Sequence, residues 1–110
     1  MTFDEYQKQA LTTAKFSGDE LRDIMHWILG VTGESGEIAE KVKKIIRDKD
    51  GVITAEDKKE LAKEIGDVLW YLATLSHQLD VSFEEVANIN LAKLKSRQER
   101  GMIGGSGDNR

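Results

Sequence analysis

Glu60-Leu61-Ala62-Lys63-Glu64-Ile65-Gly66-Asp67-Val68-Leu69-Trp70-Tyr71-Leu72 is the stretch whose periodicity sets the fold class. Its apolar positions, continued by Leu75 and Leu79, recur at steps of three and four residues. That is the period of an amphipathic helix, not the alternation of a strand. On its N-terminal side Thr54 and Asp57 have capping-box spacing, and Asp48-Lys49-Asp50-Gly51 reads as a turn. Before that turn a long helix is predicted from a cap at Asp19 to about Arg47, with Trp27, Ile28, Val31, Ile38, Val42, Ile45 and Ile46 as its apolar stripe. A first helix opens at Thr2, with Glu5 three residues on, and runs to about Lys15; Phe16-Ser17-Gly18 breaks it. Ser82 with Glu85 opens a fourth helix that ends near Arg100-Gly101. No strand pattern and no internal repeat is found. The expectation is an all-α, four-helix bundle-like domain over residues 1–101 and a flexible Gly-rich tail over 102–110.

The 110 residues suffice for one domain. Cys is absent, which excludes disulfides, thiolate zinc sites and a cysteine nucleophile and fits a reducing, cytoplasmic setting. No stretch approaches the roughly 20 apolar residues of a membrane span, and the N-terminus has neither the basic nor the apolar region of a signal peptide. A net charge of −4 argues against general nucleic-acid binding. The charge is uneven: residues 34–67 are rich in acids, whereas Lys93, Lys95, Arg97, Arg100 and Arg110 make the end basic. Gly30, Gly33 and Gly36 lie three apart inside the second helix. Each costs about 1 kcal/mol relative to Ala, so close approach of another helix or of a ligand is expected there.

The chemistry lies in two runs, Gly33-Glu34-Ser35-Gly36-Glu37-Ile38-Ala39-Glu40 and Glu60 to Asp67. Acids three apart share a helix face, where like charges repel. Glu37 has Lys41 four residues on and Glu40 has Lys44, whereas Glu34, Glu64 and Asp67 lack that pairing; Lys63 is within reach of Asp67. At about 100° per residue, Glu34 falls between Val31 and Ile38 and Glu64 between Leu61 and Val68, inside the apolar stripes. Ionised carboxylates facing a core are costly unless paired or bound to a cation. Paired acids from two helices suit a hard, oxygen-seeking cation such as magnesium, which is often shared with substrate phosphates; salt-bridged helix faces are the competing reading. A carboxylate-bridged iron site would need Glu-x-x-His on two helices. His26 and His77 follow Asp23 and Thr74 at that spacing, so that site is discounted.

At these residues the sequence resembles the MazG-like nucleotide pyrophosphohydrolases. The likeness rests on Glu34-x-x-Glu37, a spacer of 26 residues, and Glu64-x-x-Asp67. Leu29-Gly30-Val31-Thr32-Gly33 before the first pair and Val68-Leu69-Trp70-Tyr71-Leu72 after the second agree with it, as does the end of the chain from Lys93 to Arg110. The resemblance implies a MazG-type all-α fold assembled as a homodimer or dimer of dimers. It implies hydrolysis of a nucleoside triphosphate to monophosphate and pyrophosphate, in nucleotide-pool house-cleaning. It further implies Mg2+, or Mn2+, held by Glu34, Glu37, Glu64 and Asp67 as the catalytic and metal-binding set.

Beside that set, Lys93, Arg97 and Arg100 are candidates for the phosphates, as Arg forks suit them, or form a solvated basic face. Trp27, Trp70 and Tyr71 are candidates for stacking on the base, or for core packing. Glu40 is either a water-orienting base or a solvent residue paired with Lys44. Competing functions are a non-catalytic helical nucleotide-binding or interaction module and phosphoribosyl-ATP hydrolysis. Nucleic-acid binding through the basic end ranks below both.

Overall fold

The computed structural model describes residues 1–110 and contains four helices and no strand. They are α1 (Phe3–Leu11), α2 (Glu20–Lys49), α3 (Ala55–Gln78) and α4 (Phe83–Glu99). All four N-terminal caps fall at the expected residues. The hydroxyls of Thr2 and Ser82 accept from the amides of Glu5 and Glu85, and Asp19 accepts from Arg22. Thr54 and Asp57 form a reciprocal capping box. Asp50 and Gly51 end α2 in the left-handed region, at φ 51° and 74°, the conformation that commonly terminates a helix.

α1 ends at Leu11, short of Lys15. The carbonyl of Ala10, which would receive the amide of Ala14 in a longer helix, instead accepts from the Thr13 amide and hydroxyl and from the indole of Trp70 at 3.1 Å. The chain then crosses to α2, where buried Asp23 accepts from the amide and the hydroxyl of Ser17, at 3.0 and 2.7 Å.

α2 and α3 form an antiparallel hairpin, the principal packing of the molecule. The inner stripe of α2 is Ile24, Trp27, Val31, Glu34, Ile38, Lys41 and Ile45, each buried or half-buried. Against it lies the α3 stripe of Asp57, Leu61, Glu64, Val68, Tyr71, Leu75 and Gln78. The stripe expected for α2 therefore divides. Trp27, Val31, Ile38 and Ile45 face α3, whereas Ile28, Val42 and Ile46 are exposed. On α3, Ile65, Leu72 and Leu79 are likewise exposed.

α1 packs on the other side of α3, and α4 packs on α1 and α3 but not on α2. Ala10, Ala73 and Phe83 form the buried cluster, flanked by Tyr6, Leu69 and Trp70. Buried Gln7 joins three helices: its amide donates to the Ala73 carbonyl at 3.0 Å, and its oxygen accepts from the Phe83 amide at 3.1 Å. Asp4 accepts from the Glu84 amide at 3.0 Å.

A single copy is open. Only 10 of its 110 residues are buried, and its radius of gyration is 17.0 Å, against about 13 Å for a compact domain of this length. Residues 102–110 turn back along α4. Arg97 donates to the Asp108 carbonyl at 2.6 Å, and the Arg110 guanidinium donates to the carbonyls of Met102, Ile103, Gly104 and Gly107. No helix is long and apolar enough to cross a membrane.

Candidate metal centre

Midway along the hairpin the two inner stripes carry acids at the same level. Glu34 from α2 meets Glu64 and Asp67 from α3, with one carboxylate oxygen of each within 4.8 Å of the others. The helix period explains the placement, because Glu64 lies on the α3 stripe one turn after Leu61 and Asp67 follows one turn further. Glu34 and Glu64 are half-buried and Asp67 is exposed, so the trio opens to solvent on one side. Glu37, one turn past Glu34, is exposed and lies outside this trio.

The electrostatics are those of crowded like charges. The Glu34 carboxyl is pushed above the ordinary glutamate range, first by desolvation and then by the charges of Asp67, Glu64 and Glu37. The Tyr6 phenol is also raised, by burial first and by the charge of Asp67 second. Three oxygen donors crowded to within 4.8 Å, one of them Glu34 with its proton affinity raised, fit a hard divalent cation, which would relieve the repulsion and accept all-oxygen ligands.

The pairing around the trio differs from helix-local spacing. Lys41 reaches across the hairpin to Glu64 at 2.9 Å and Glu60 at 3.7 Å, not along α2 to Glu37. Lys63 pairs with Glu60 at 2.8 Å, not with Asp67. Glu40 is held by Lys43 at 2.8 Å and by Lys44 at 3.9 Å, so its carboxylate is committed to solvent-side lysines. Lys41 is the neighbour that sequence spacing misses, since it reaches Glu64 from another helix.

Aromatic side chains fill the hairpin on one side of the trio. Trp27 is 1% exposed, ringed by Phe16, His26, Trp70 and Tyr71, and donates its indole N–H to Gln78. With its faces so occupied it is a packing residue, and no base can stack on it in this conformation. The Trp70 indole N–H is spent on Ala10 and Thr13. Tyr71 is half-buried, and its ring lies against Gly30, where an added Cβ would fall 2.2 Å from ring atoms. The expected close approach thus holds at Gly30, whereas Gly33 and Gly36 face open space. Lys93, Arg97 and Arg100 all engage the tail: Lys93 meets Asp108 at 3.2 Å, and Arg100 donates to the Arg110 carbonyl at 2.8 Å. Their ion pairs and hydrogen bonds do not include the acid trio.

The geometry can be set beside known proteins. Residues 20–102, which span α2, α3, α4 and all four motif acids, match the MazG nucleotide pyrophosphohydrolase domain. The chain belongs to this family. It is 52% identical to the Gene 37 protein of Mycobacterium phage L5 over the full length of both chains. It is 38% identical to the uncharacterized protein YpjD of Bacillus subtilis (strain 168) over 69 residues, 63% of this chain and 61% of that one. No solved structure matches. Within this family member the acid trio falls where the two Glu/Asp pairs of the sequence converge, across the α2–α3 hairpin.

Proposed function

We propose that this MazG-family protein is a metal-dependent nucleoside triphosphate pyrophosphohydrolase, converting a nucleoside triphosphate and water to the monophosphate and pyrophosphate. The observation that carries the reading is the convergence of Glu34, Glu64 and Asp67 from two helices to within 4.8 Å. These three would hold Mg2+ or Mn2+, with Glu37 one turn away able to join from the solvent side. A bound divalent ion lowers the pKa of water and clamps phosphate oxygens. The chain's own contribution is to fix the carboxylates on a packed hairpin and to keep one side of the trio open for the nucleotide. Tyr71 is the aromatic side chain best placed to flank a nucleotide. Nucleotide-pool house-cleaning in the cytoplasm is the role that fits this activity.

We further propose that the working form is a homodimer or a dimer of dimers. Beside its inner stripe α2 carries a second one: Leu21, Met25, Ile28, Thr32, Ser35, Ala39, Val42 and Ile46, spaced alternately by four and three and all exposed. That is the spacing of a helix–helix seam, with small residues at its centre. A second copy would bury it and close the open molecule.

The test is a panel of nucleoside triphosphates, with phosphoribosyl-ATP included, incubated with magnesium and resolved by product. Monophosphate with pyrophosphate supports the proposal. Diphosphate with orthophosphate, or no turnover, refutes it.

A further inference from the structure

Lys41 has no part in the four-acid pattern, yet it holds the only ion pair to the acid trio. It sits on the buried stripe of α2 two turns beyond Glu34, and its ammonium lies 2.9 Å from Glu64 and 3.7 Å from Glu60. A cation at that distance opposes a second, doubly charged cation on the same carboxylate by direct Coulomb repulsion. The Lys41 side chain is 33% exposed against 14% for Glu64, so the pair is open to water on the lysine's side. Past Lys41, away from the aromatic side, the hairpin opens into a cleft of about 240 Å³ lined by Lys41, Lys44, Lys49, Asp57 and Glu60 among others. Lys49 is committed to Asp57 at 2.8 Å. Lys44 has only a 3.9 Å contact with Glu40. Lys44 is thus the looser lysine of the cleft, but Lys41 is the one whose ammonium also touches an acid of the trio, as a point charge on a flexible stem.

We propose that Lys41 is an exchangeable counter-ion of this centre: it neutralises Glu64 in the ion-free protein and passes to the terminal phosphates of the nucleotide when a divalent cation takes Glu64. The inference rests on the metal-centre reading above. It makes Lys41 a positioning residue for the pyrophosphate end of the substrate, and it assigns the cleft beyond it to those phosphates. It also couples the two ligands. The phosphate removes the charge that resists the metal, and by linkage the metal frees the charge that binds the phosphate.

The experiment compares wild type, Lys41→Met and Lys41→Arg. Mn2+ is titrated calorimetrically into each protein without nucleotide, and inorganic pyrophosphate is then titrated at saturating Mn2+. Lys41→Met is expected to bind Mn2+ alone more tightly and pyrophosphate more weakly, each on the order of fivefold; Lys41→Arg keeps both values near wild type. Lys41→Met with Mn2+ affinity unchanged or weaker, or with pyrophosphate affinity unchanged, overturns the inference. Wild type that binds Mn2+ while all three proteins behave alike sinks this inference alone. Wild type that binds no Mn2+ sinks the metal-centre reading and this inference with it.

Discussion

Gly30→Ala tests the link between helix packing and the acid centre. The new Cβ would lie 2.2 Å from Cδ1 and Cε1 of Tyr71, so the ring must retreat by about 1.2 Å to reach the 3.4 Å of ordinary contact. Its retreat is obstructed, because Trp70 packs edge-on against it at 4.9 Å and Trp27 stands at 6.3 Å. Overpacking of this kind costs about 1–3 kcal/mol, and the helix recovers about 1 kcal/mol from replacing Gly with Ala. The net loss is about 1 kcal/mol, or a fall in melting temperature of about 4–8 °C for a domain near this size. Gly30 is one turn before Glu34 and Tyr71 one turn after Asp67, so relief by separating the helices also spreads the trio. Mn2+ affinity should fall along with stability. Gly36→Ala is the control: nothing lies within 4 Å of its added Cβ, so it should gain about 1 kcal/mol. The assay is thermal denaturation by circular dichroism at fixed protein concentration, with Mn2+ titrated into the same samples. Gly30→Ala that melts at or above wild type with unaltered Mn2+ affinity would refute the reasoning.

Glu64→Gln should abolish turnover and weaken Mn2+ binding by at least tenfold while leaving helical circular dichroism intact; retained Mn2+ binding would remove Glu64 from the centre. Gln7→Leu leaves the buried Ala73 carbonyl and Phe83 amide without their partner, at a cost of about 2–4 kcal/mol, measurable by urea denaturation. Asp57 is held at about 2, first by Lys49 and then by the Thr54 amide. A lowered acid stabilises above its unfolded value, near 3.8, and that contribution is lost as pH falls from there to about 2. Asp57→Asn should therefore flatten the acid limb of the stability profile in that window, and an unchanged limb would count against the pairing. Ile46→Glu, on the outer α2 stripe, should shift sedimentation toward a smaller species; wild type that sediments as a single copy would dismiss the proposed seam.

What the sequence revealed was local. Thr2, Asp19, Thr54 with Asp57, and Ser82 announce their helices because a cap and its target amide lie three residues apart, within one turn. Glu34 and Glu64 were readable for the same reason, since they interrupt apolar stripes and periodicity turns them inward; exposed Asp67 came only with the four-acid family pattern, whose Glu37 lies outside the trio. What escaped depends on partners far along the chain. α1 stops early because a tryptophan 60 residues on takes the Ala10 carbonyl. Lys41 spans two helices in place of the i,i+4 pair that its spacing to Glu37 suggested. The apolar stripe of α2 read as one because 3.6-residue periodicity does not separate two adjoining faces when both are apolar.

The clasp of residues 102–110 has a practical consequence for handling the protein. Arg110 gathers four carbonyls of its own loop, and its carbonyl in turn receives Arg100. Arg110 is thus the keystone of the segment that covers Arg97, and a bulky group attached beside it would crowd that closure. Met1 is 93% exposed and precedes the first cap. Purification handles and fluorophores belong at that end.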